Sequence, residues 1–373
     1  MKLKIFCSRE ALSDNFTLAP ILHPFWPEFS KKHQHTWLRY YDCYIECGRS
    51  FFDMVPLEEA DLVIMPISWM DVRGVSWRSK VDKRKQAWAI QFSQKAEQAN
   101  KPIVVFFGGD CSDEDIPIKN AIVFREGPYR SRMKPNNFIV PAPIEDLVHH
   151  YLGNLLPIRQ KREKPVIGFC GLAKQDSWKM KLKTIAYQGV MLTKQGRMGI
   201  PPYKGEILRA KALGILADNP LVDTNFIIRD QSVFLNNEDL NQQRNFRIDF
   251  VQNMAKSDYI LCCRGSGNCS IRLFETLCCG KIPIFIDTDC ILPYNFAIDW
   301  KKYCVWVDEK ELPQIAEKVA EFHNNLSPQE FVDLQHECRK LWKEWLSPEG
   351  FFANFYRHFE TGRLEGINTF SLY

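Results

Sequence analysis

At 373 residues, 45% hydrophobic and 25% charged, the chain is too long for one hydrophobic core and too apolar for long disordered stretches, so two globular domains are expected. Its 49 basic and 45 acidic residues leave a net charge of +4, too balanced for a dedicated nucleic-acid binder, where one strongly basic face is expected. Thirteen cysteines spread over this length do not make a disulfide framework. Several sit in apolar runs (Cys170, Cys262, Cys263, Cys278, Cys279) as free thiols would in a reducing compartment.

The N-terminus opens directly on a strand-like run, Leu3 to Cys7. Its apolar part is too short for a secretory signal, and no uninterrupted apolar segment is long enough to cross a bilayer. The expectation is a cytoplasmic chain with no transmembrane segment, with peripheral membrane association left open. A loop rich in aromatics and histidines follows, with His23, Phe25, Trp26, His35, Trp37, Tyr40 and Tyr41. Asp61 to Met65 reads as a second strand, stopped by Pro66. From Lys83 to Asn100, Ala87, Ile90, Phe92 and Ala96 recur at surface-helix spacing. The buried strand IVVFF then ends in Gly108-Gly109-Asp110. Strand, helix, strand predicts βαβ units and a parallel sheet.

Short apolar runs at Ala121 to Phe124 and Phe138 to Val140 complete the first third, with a basic run, Arg125 to Lys134, between them. That run reads as a solvated loop, or else as an attractor for an acidic glycan or a lipid phosphate. Pro157 to Pro165 is charged and bracketed by prolines, the best linker in the chain. This divides it into an N-terminal domain over 1–156, a C-terminal domain over 165–345 and a terminal helix over 346–373 that packs back on the body.

The second domain opens with the strand Val166 to Cys170, followed by a helix from Glu206 to Leu216, a strand from Asn225 to Ile228 and a helix from Asp249 to Ala255. The most informative stretch comes next. A buried strand, Tyr259 to Cys263, feeds a Gly/Ser/Asn turn carrying Arg264, then a short helix from Ser270 to Cys279, Gly280, and a second buried strand, Ile282 to Ile286. A strand, a glycine turn and a helix N-terminus together make an anion site, because the backbone N–H groups and the helix dipole point the same way. On the helix, Ile271, Phe274 and Cys278 are expected to face the sheet, with Arg272 and Glu275 on another face. Arg264 and Arg272 suit a diphosphate through charge-assisted hydrogen bonds, supported by Gly265, Ser266, Gly267, Asn268 and Ser270. Glu275 suits a ribose diol. Lys174 and Arg209 are secondary phosphate contacts, against the plainer reading of surface charge.

These residues resemble the exostosin-like glycosyltransferases (glycosyltransferase family 47). The resemblance rests on Ser257, Arg264-Gly265, Arg272-Leu273-Phe274-Glu275, Gly280-Lys281-Ile282-Pro283, Leu292-Pro293-Tyr294 and Asp299-Trp300. Fainter echoes lie in EEADLVIMP, NNFIVPAP and VIGFCG. The resemblance implies two facing Rossmann-like domains of the GT-B type, with the donor bound mainly by the C-terminal one. It also implies inverting transfer from a nucleotide diphosphate-sugar, usually UDP-linked, to a glycan or glycolipid. Members in animals and plants are commonly anchored in the Golgi membrane, and the expected lack of an anchor here turns the setting to surface polysaccharide synthesis. No metal or other cofactor is expected, and Asp287-Thr288-Asp289 is read as a solvated turn rather than a metal ligand.

Inversion needs a base from the N-terminal side, for which Asp110 is the first candidate, ahead of His23 and His35. Phe25, Trp26, Trp37, Tyr40 and Tyr41 are candidate platforms for stacking on an acceptor sugar, against the plainer reading of core. Two other classes remain open: a non-catalytic nucleotide-sugar or glycan binder, and a Rossmann-type oxidoreductase, although no GxGxxG follows the first strand.

Overall fold

The computed structural model describes residues 2–9, 16–32, 40–76, 79–173, 205–229 and 240–360. Two sheets organise it. The first runs through β1 (Leu3–Phe6), β2 (Phe52–Met54), β3 (Leu62–Ile64), β4 (Ile103–Phe107), β5 (Ala121–Arg125) and β6 (Asn137–Ile139), in the order β2-β1-β3-β4-β5-β6. The second uses β7 (Val166–Leu172), β8 (Asp223–Arg229), β9 (Tyr259–Cys262), β10 (Ile282–Asp287) and β11 (Val305–Asp308), in the order β11-β10-β9-β7-β8. Every pairing among these strands is parallel. Both sheets therefore share the 2-1-3-4-5 order of the doubly wound α/β class, the fold that the sequence implies.

Parallel strands covered on both faces need unbroken apolar runs, and β4, β9 and β10 are buried along their whole length. The helix Lys83–Gln98 starts at Asp82, whose carboxylate accepts the Arg84 and Lys85 N–H groups. It lays Ala89, Phe92 and Ala96 against the first sheet. Between the sheets, 157–165 carries no regular element and is tied to the second sheet, with Arg159 Nε 2.5 Å from Asp258 Oδ1. Among the described residues no helix is long and apolar enough to cross a membrane.

Strand β2 and the helix Asp42–Cys47 have no counterpart in the sequence reading, since three and six residues are too few to show a period. The terminal segment returns to the first domain. Pro348–Ala353 and Phe355–Phe359 press Phe352 onto Tyr44 (4.2 Å between rings) and Phe355 onto Phe124 (4.7 Å). One expectation fails on the helix Ile271–Cys278: Phe274 and Cys278 are buried, but Ile271 is half exposed. At the first position of a short helix there is no preceding turn to fold its side chain under.

Candidate active site at the facing sheet edges

In open α/β sheets, ligands bind beyond the carboxyl ends of the strands, where strand order reverses. In the second sheet that point lies between β7 and β9, and three guanidiniums converge on it. Arg272 reaches from the helix Ile271–Cys278 to donate through Nη2 to the Cys170 carbonyl at 2.7 Å. Arg209, on the helix Gly205–Ala217, donates to the Leu172 carbonyl at 2.5 Å and the Arg264 carbonyl at 3.2 Å. Arg264 follows β9 and is only 2% exposed; its Nη1 donates to Asn268 Oδ1 (2.9 Å) and the Tyr129 hydroxyl (3.0 Å). Phe169 of β7 lies under two of them, 4.4 Å from the Arg272 guanidinium carbon and 5.9 Å from that of Arg209. Burial, with Arg209 beside it, lowers the Arg272 pKa.

Among the described residues, four buried polar atoms with no hydrogen-bond partner gather at this edge: Nε of Arg209, Arg264 and Arg272, and the Ser270 hydroxyl. Buried donors are normally paired, so a cluster of orphans needs an explanation. Ser270 stands before the helix Ile271–Cys278 but makes no capping bond with its side chain. Three orphaned cationic donors and a hydroxyl at a switch point describe a seat for a polyanion.

Glu275 is buried one turn further on, and its Oε1 accepts from Arg247 Nη1 at 2.7 Å. Arg247 also reaches Glu145 at 3.0 Å, which ties the helix Leu240–Ala255 to both carboxylates. The sequence reading missed Arg247 because a single arginine in a polar helix carries no signal. Lys174 and His35 lie outside the described residues, as does Trp37.

The first sheet turns its own carboxyl edge toward this turn. A Cβ placed on Gly267 would lie 3.3 Å from the Asp110 Cα, and one on Gly127 would lie 3.1 Å from the Cys269 Cβ. The approach is that close because both positions are glycine. Burial raises the Asp110 pKa, opposed by the Gly267 N–H and the Arg264 charge. His23 is buried, stacked on Tyr41 at 4.6 Å, and lowered to about 4 by desolvation. Phe25, Trp26 and Tyr41 pack against the core and are not free stacking platforms.

Two loop readings need correction. Asp287 is buried rather than solvated: its Oδ2 pairs with Arg130 at 2.6 Å and its Oδ1 accepts the Cys290 N–H at 2.7 Å. Asp289 accepts the Ser131 hydroxyl at 2.5 Å. The acidic turn thus grips the first domain, and no group of three metal-ligating side chains occurs among the described residues. The basic run departs from a solvated loop at Arg125, while the Arg130, Arg132 and Lys134 side chains stay more than half exposed. Arg125 is buried against the Ser112 and Glu114 carbonyls, and Arg132 pairs with Asp113.

Residues 213–322 match the family model for the Exostosin GT47 domain. The relatives include Exostosin-1 of Drosophila melanogaster, 28% identical over 99 residues, 26% of this chain and 12% of that protein. A "Probable beta-1,4-xylosyltransferase" of Arabidopsis thaliana is 36% identical over 66 residues, 18% of this chain and 16% of that protein. A "Probable glucuronosyltransferase 47 A" of Physcomitrium patens is 38% identical over 64 residues, 17% of this chain and 14% of that protein. The aligned part thus spans no more than 16% of any of these three. Among solved structures, TarM covers 87% of this chain and 58% of its own at 11% identity and a TM-score of 0.29. An S. aureus TarM mutant in complex with Fondaparinux, alpha-GlcNAc-glycerol and UDP covers 91% and 54% at 9% identity and 0.31. Scores this low decide nothing, and the fold rests on the strand order above. The resemblance to the exostosin-like glycosyltransferases is borne out over residues 213–322, which hold β8 to β11 and the turn between β9 and the helix Ile271–Cys278.

Proposed function

We propose that this chain, with its exostosin GT47 domain in the C-terminal half, is an inverting glycosyltransferase that moves a sugar from a UDP-sugar to a glycan or glycolipid. One observation carries the reading: the orphaned Nε atoms of Arg209, Arg264 and Arg272 beside the unpaired Ser270 hydroxyl, at the switch point of a parallel sheet. A diphosphate is the anion whose several oxygens would engage all four donors. When the anomeric bond breaks, negative charge builds on the departing nucleoside diphosphate, so the same arginines stabilise the transition state more than the bound donor. They also supply the positive charge that a metal ion supplies elsewhere, and no cofactor is needed. Glu275, held by Arg247, stands one turn away to receive the ribose. The first sheet, facing the turn with Asp110, forms the acceptor side. A cytoplasmic enzyme of surface polysaccharide synthesis is the setting in which we place it.

The test is ligand stabilisation. UDP and UDP-sugars at about a hundred times Kd should stabilise the chain by roughly 2.7 kcal/mol, and NAD(P) should not. Arg272→Ala should weaken UDP binding at least tenfold, since it removes a buried charge-assisted contact of roughly 1.5–3 kcal/mol. Unaltered UDP affinity in both Arg272→Ala and Arg264→Ala would sink the assignment, and release of UDP from a UDP-sugar separates the enzyme from a binding protein.

A further inference from the structure

Opposite the arginines, two adjacent strands of the first sheet each end in a carboxylate. Asp110 follows β4 and its Gly108-Gly109 turn, and Glu126 follows β5 directly. We infer that Glu126 is the general base of the transfer reaction and that Asp110 positions the donor turn. The inference rests on the transferase reading above and names the proton acceptor that the reading requires.

Position separates the two. Asp110 is committed to the turn, packed against Gly267 and acted on by the Gly267 N–H and the Arg264 charge. Burial raises the Asp110 carboxyl as well, so what separates the two is position: these contacts hold Asp110 on the side of the donor turn. Glu126 instead lines a small cavity between the sheets together with Asn268, Cys269, Ser270 and Leu292. Its carboxylate is seated by the glycine pair. Gly109 N–H donates to Oε2 at 2.9 Å, and a Cβ on Gly108 would fall 2.8 Å from Oε1. A side chain at 108 would displace the carboxylate, so the glycine there leaves it room. The groups facing Glu126, among the described residues, are Asp110, Tyr41 and Cys269. Burial pushes its carboxyl up, the Gly109 N–H opposes this, and the Asp110 charge adds to the rise. A carboxylate raised in this way is a stronger base than a solvated one.

The step balances without a co-reactant. The acceptor hydroxyl gives its proton to the Glu126 carboxylate, and its oxygen forms a bond to the anomeric carbon. The anomeric C–O bond breaks on the opposite face, and its electron pair leaves on the nucleoside diphosphate held by the arginines.

Hydrolysis of a UDP-sugar tests this without an identified acceptor, because water then gives up the proton. UDP-xylose, UDP-glucuronic acid and UDP-N-acetylglucosamine serve as donors, read by UDP release, with UDP binding measured separately. Glu126→Gln should lower kcat by about 10²- to 10⁴-fold, leave UDP affinity within about twofold, and abolish the acid limb of the kcat/KM pH profile. Asp110→Asn should keep that limb and instead weaken UDP binding. Glu126→Ala should regain part of its rate with added formate, a response a structural role would not give. Wild-type turnover in Glu126→Gln with an intact acid limb overturns the inference alone. Failure of UDP to bind the wild type overturns the transferase reading and the inference with it.

Discussion

Arg272 and Arg264 are anchored by different means, and the difference sets what each tolerates. Arg272 sits over the Phe169 ring with its guanidinium carbon 4.4 Å from the centroid and donates to the Cys170 carbonyl, two contacts that a lysine ammonium would not reproduce together. Arg264 is buried under Tyr129 and shares Asn268, so its loss would also open the contact between the sheets. His23 has a different consequence. His23 is buried against Tyr41 with its pKa lowered to about 4, so the fold holds it neutral. A base with a depressed folded pKa costs the native state nothing above its unfolded value of about 6.5. As pH falls below that, the unfolded chain takes up the proton first, and stability drops until about pH 4. Urea unfolding of the wild type should therefore lose stability between pH 6.5 and 4 with a slope approaching about 1.4 kcal/mol per pH unit from this group. His23→Leu should show a shallower slope over that window, whatever its absolute stability. An identical slope would mean that His23 is charged in the native protein.

At the scale of the element, the turn from Arg264 to Ser270 is shaped as much by missing side chains as by present ones. Gly205, first residue of the helix Gly205–Ala217, lies so close that an added Cβ would sit 2.4 Å from the Arg264 carbonyl and 2.5 Å from that of Gly265. Both atoms are backbone, so the turn itself would have to move. Gly205→Ala should reduce UDP affinity by at least tenfold while the chain still folds, which calorimetric titration and circular dichroism would report together. Undiminished affinity would mean that the turn relaxes without moving its donors. This turn was the most legible part of the chain, because buried strands bracket it and arginine, glycine and serine follow at fixed offsets. Gly205 was not legible, since its role depends on a contact with a turn some sixty residues away in sequence. Glu126 hid for a related reason: within REGPYR it reads as part of a basic loop, and only the sheet order brings it beside Asp110. Periodicity reports which face of an element is buried, but not which distant loop closes over it. The Asp287-Thr288-Asp289 turn was misjudged on the same ground, because its partner Arg130 comes from the loop between β5 and β6 of the other domain.

Across the whole molecule, the two halves are joined at two separate places. The clasp between sheets runs through the Tyr129–Cys290 bridge, the Arg130–Asp287 pair and the Asn268 contact with the Pro128 carbonyl at 3.3 Å. On the far side, the segment after Ser347 leaves the second domain and caps the first with aromatic rings. Phe355 is fully buried there, within 6.3 Å of the Phe106 ring and 5.8 Å of Phe52, besides its stack on Phe124. The first sheet cannot bury its apolar face without this cover, so its stability depends on residues that follow the donor half in sequence. Phe355→Ala should cost about 3–5 kcal/mol, the usual range for emptying a buried phenylalanine site. That loss should fall on the first domain alone: hydrogen exchange should accelerate across β4 and β5, while β9 and β10 stay protected. UDP binding should weaken far less than stability does, since the arginines stand on the second sheet. Uniform loss of protection in both sheets would show instead that the clasp makes the two domains one cooperative unit, and that an acceptor on one face and a donor on the other are felt by a single fold.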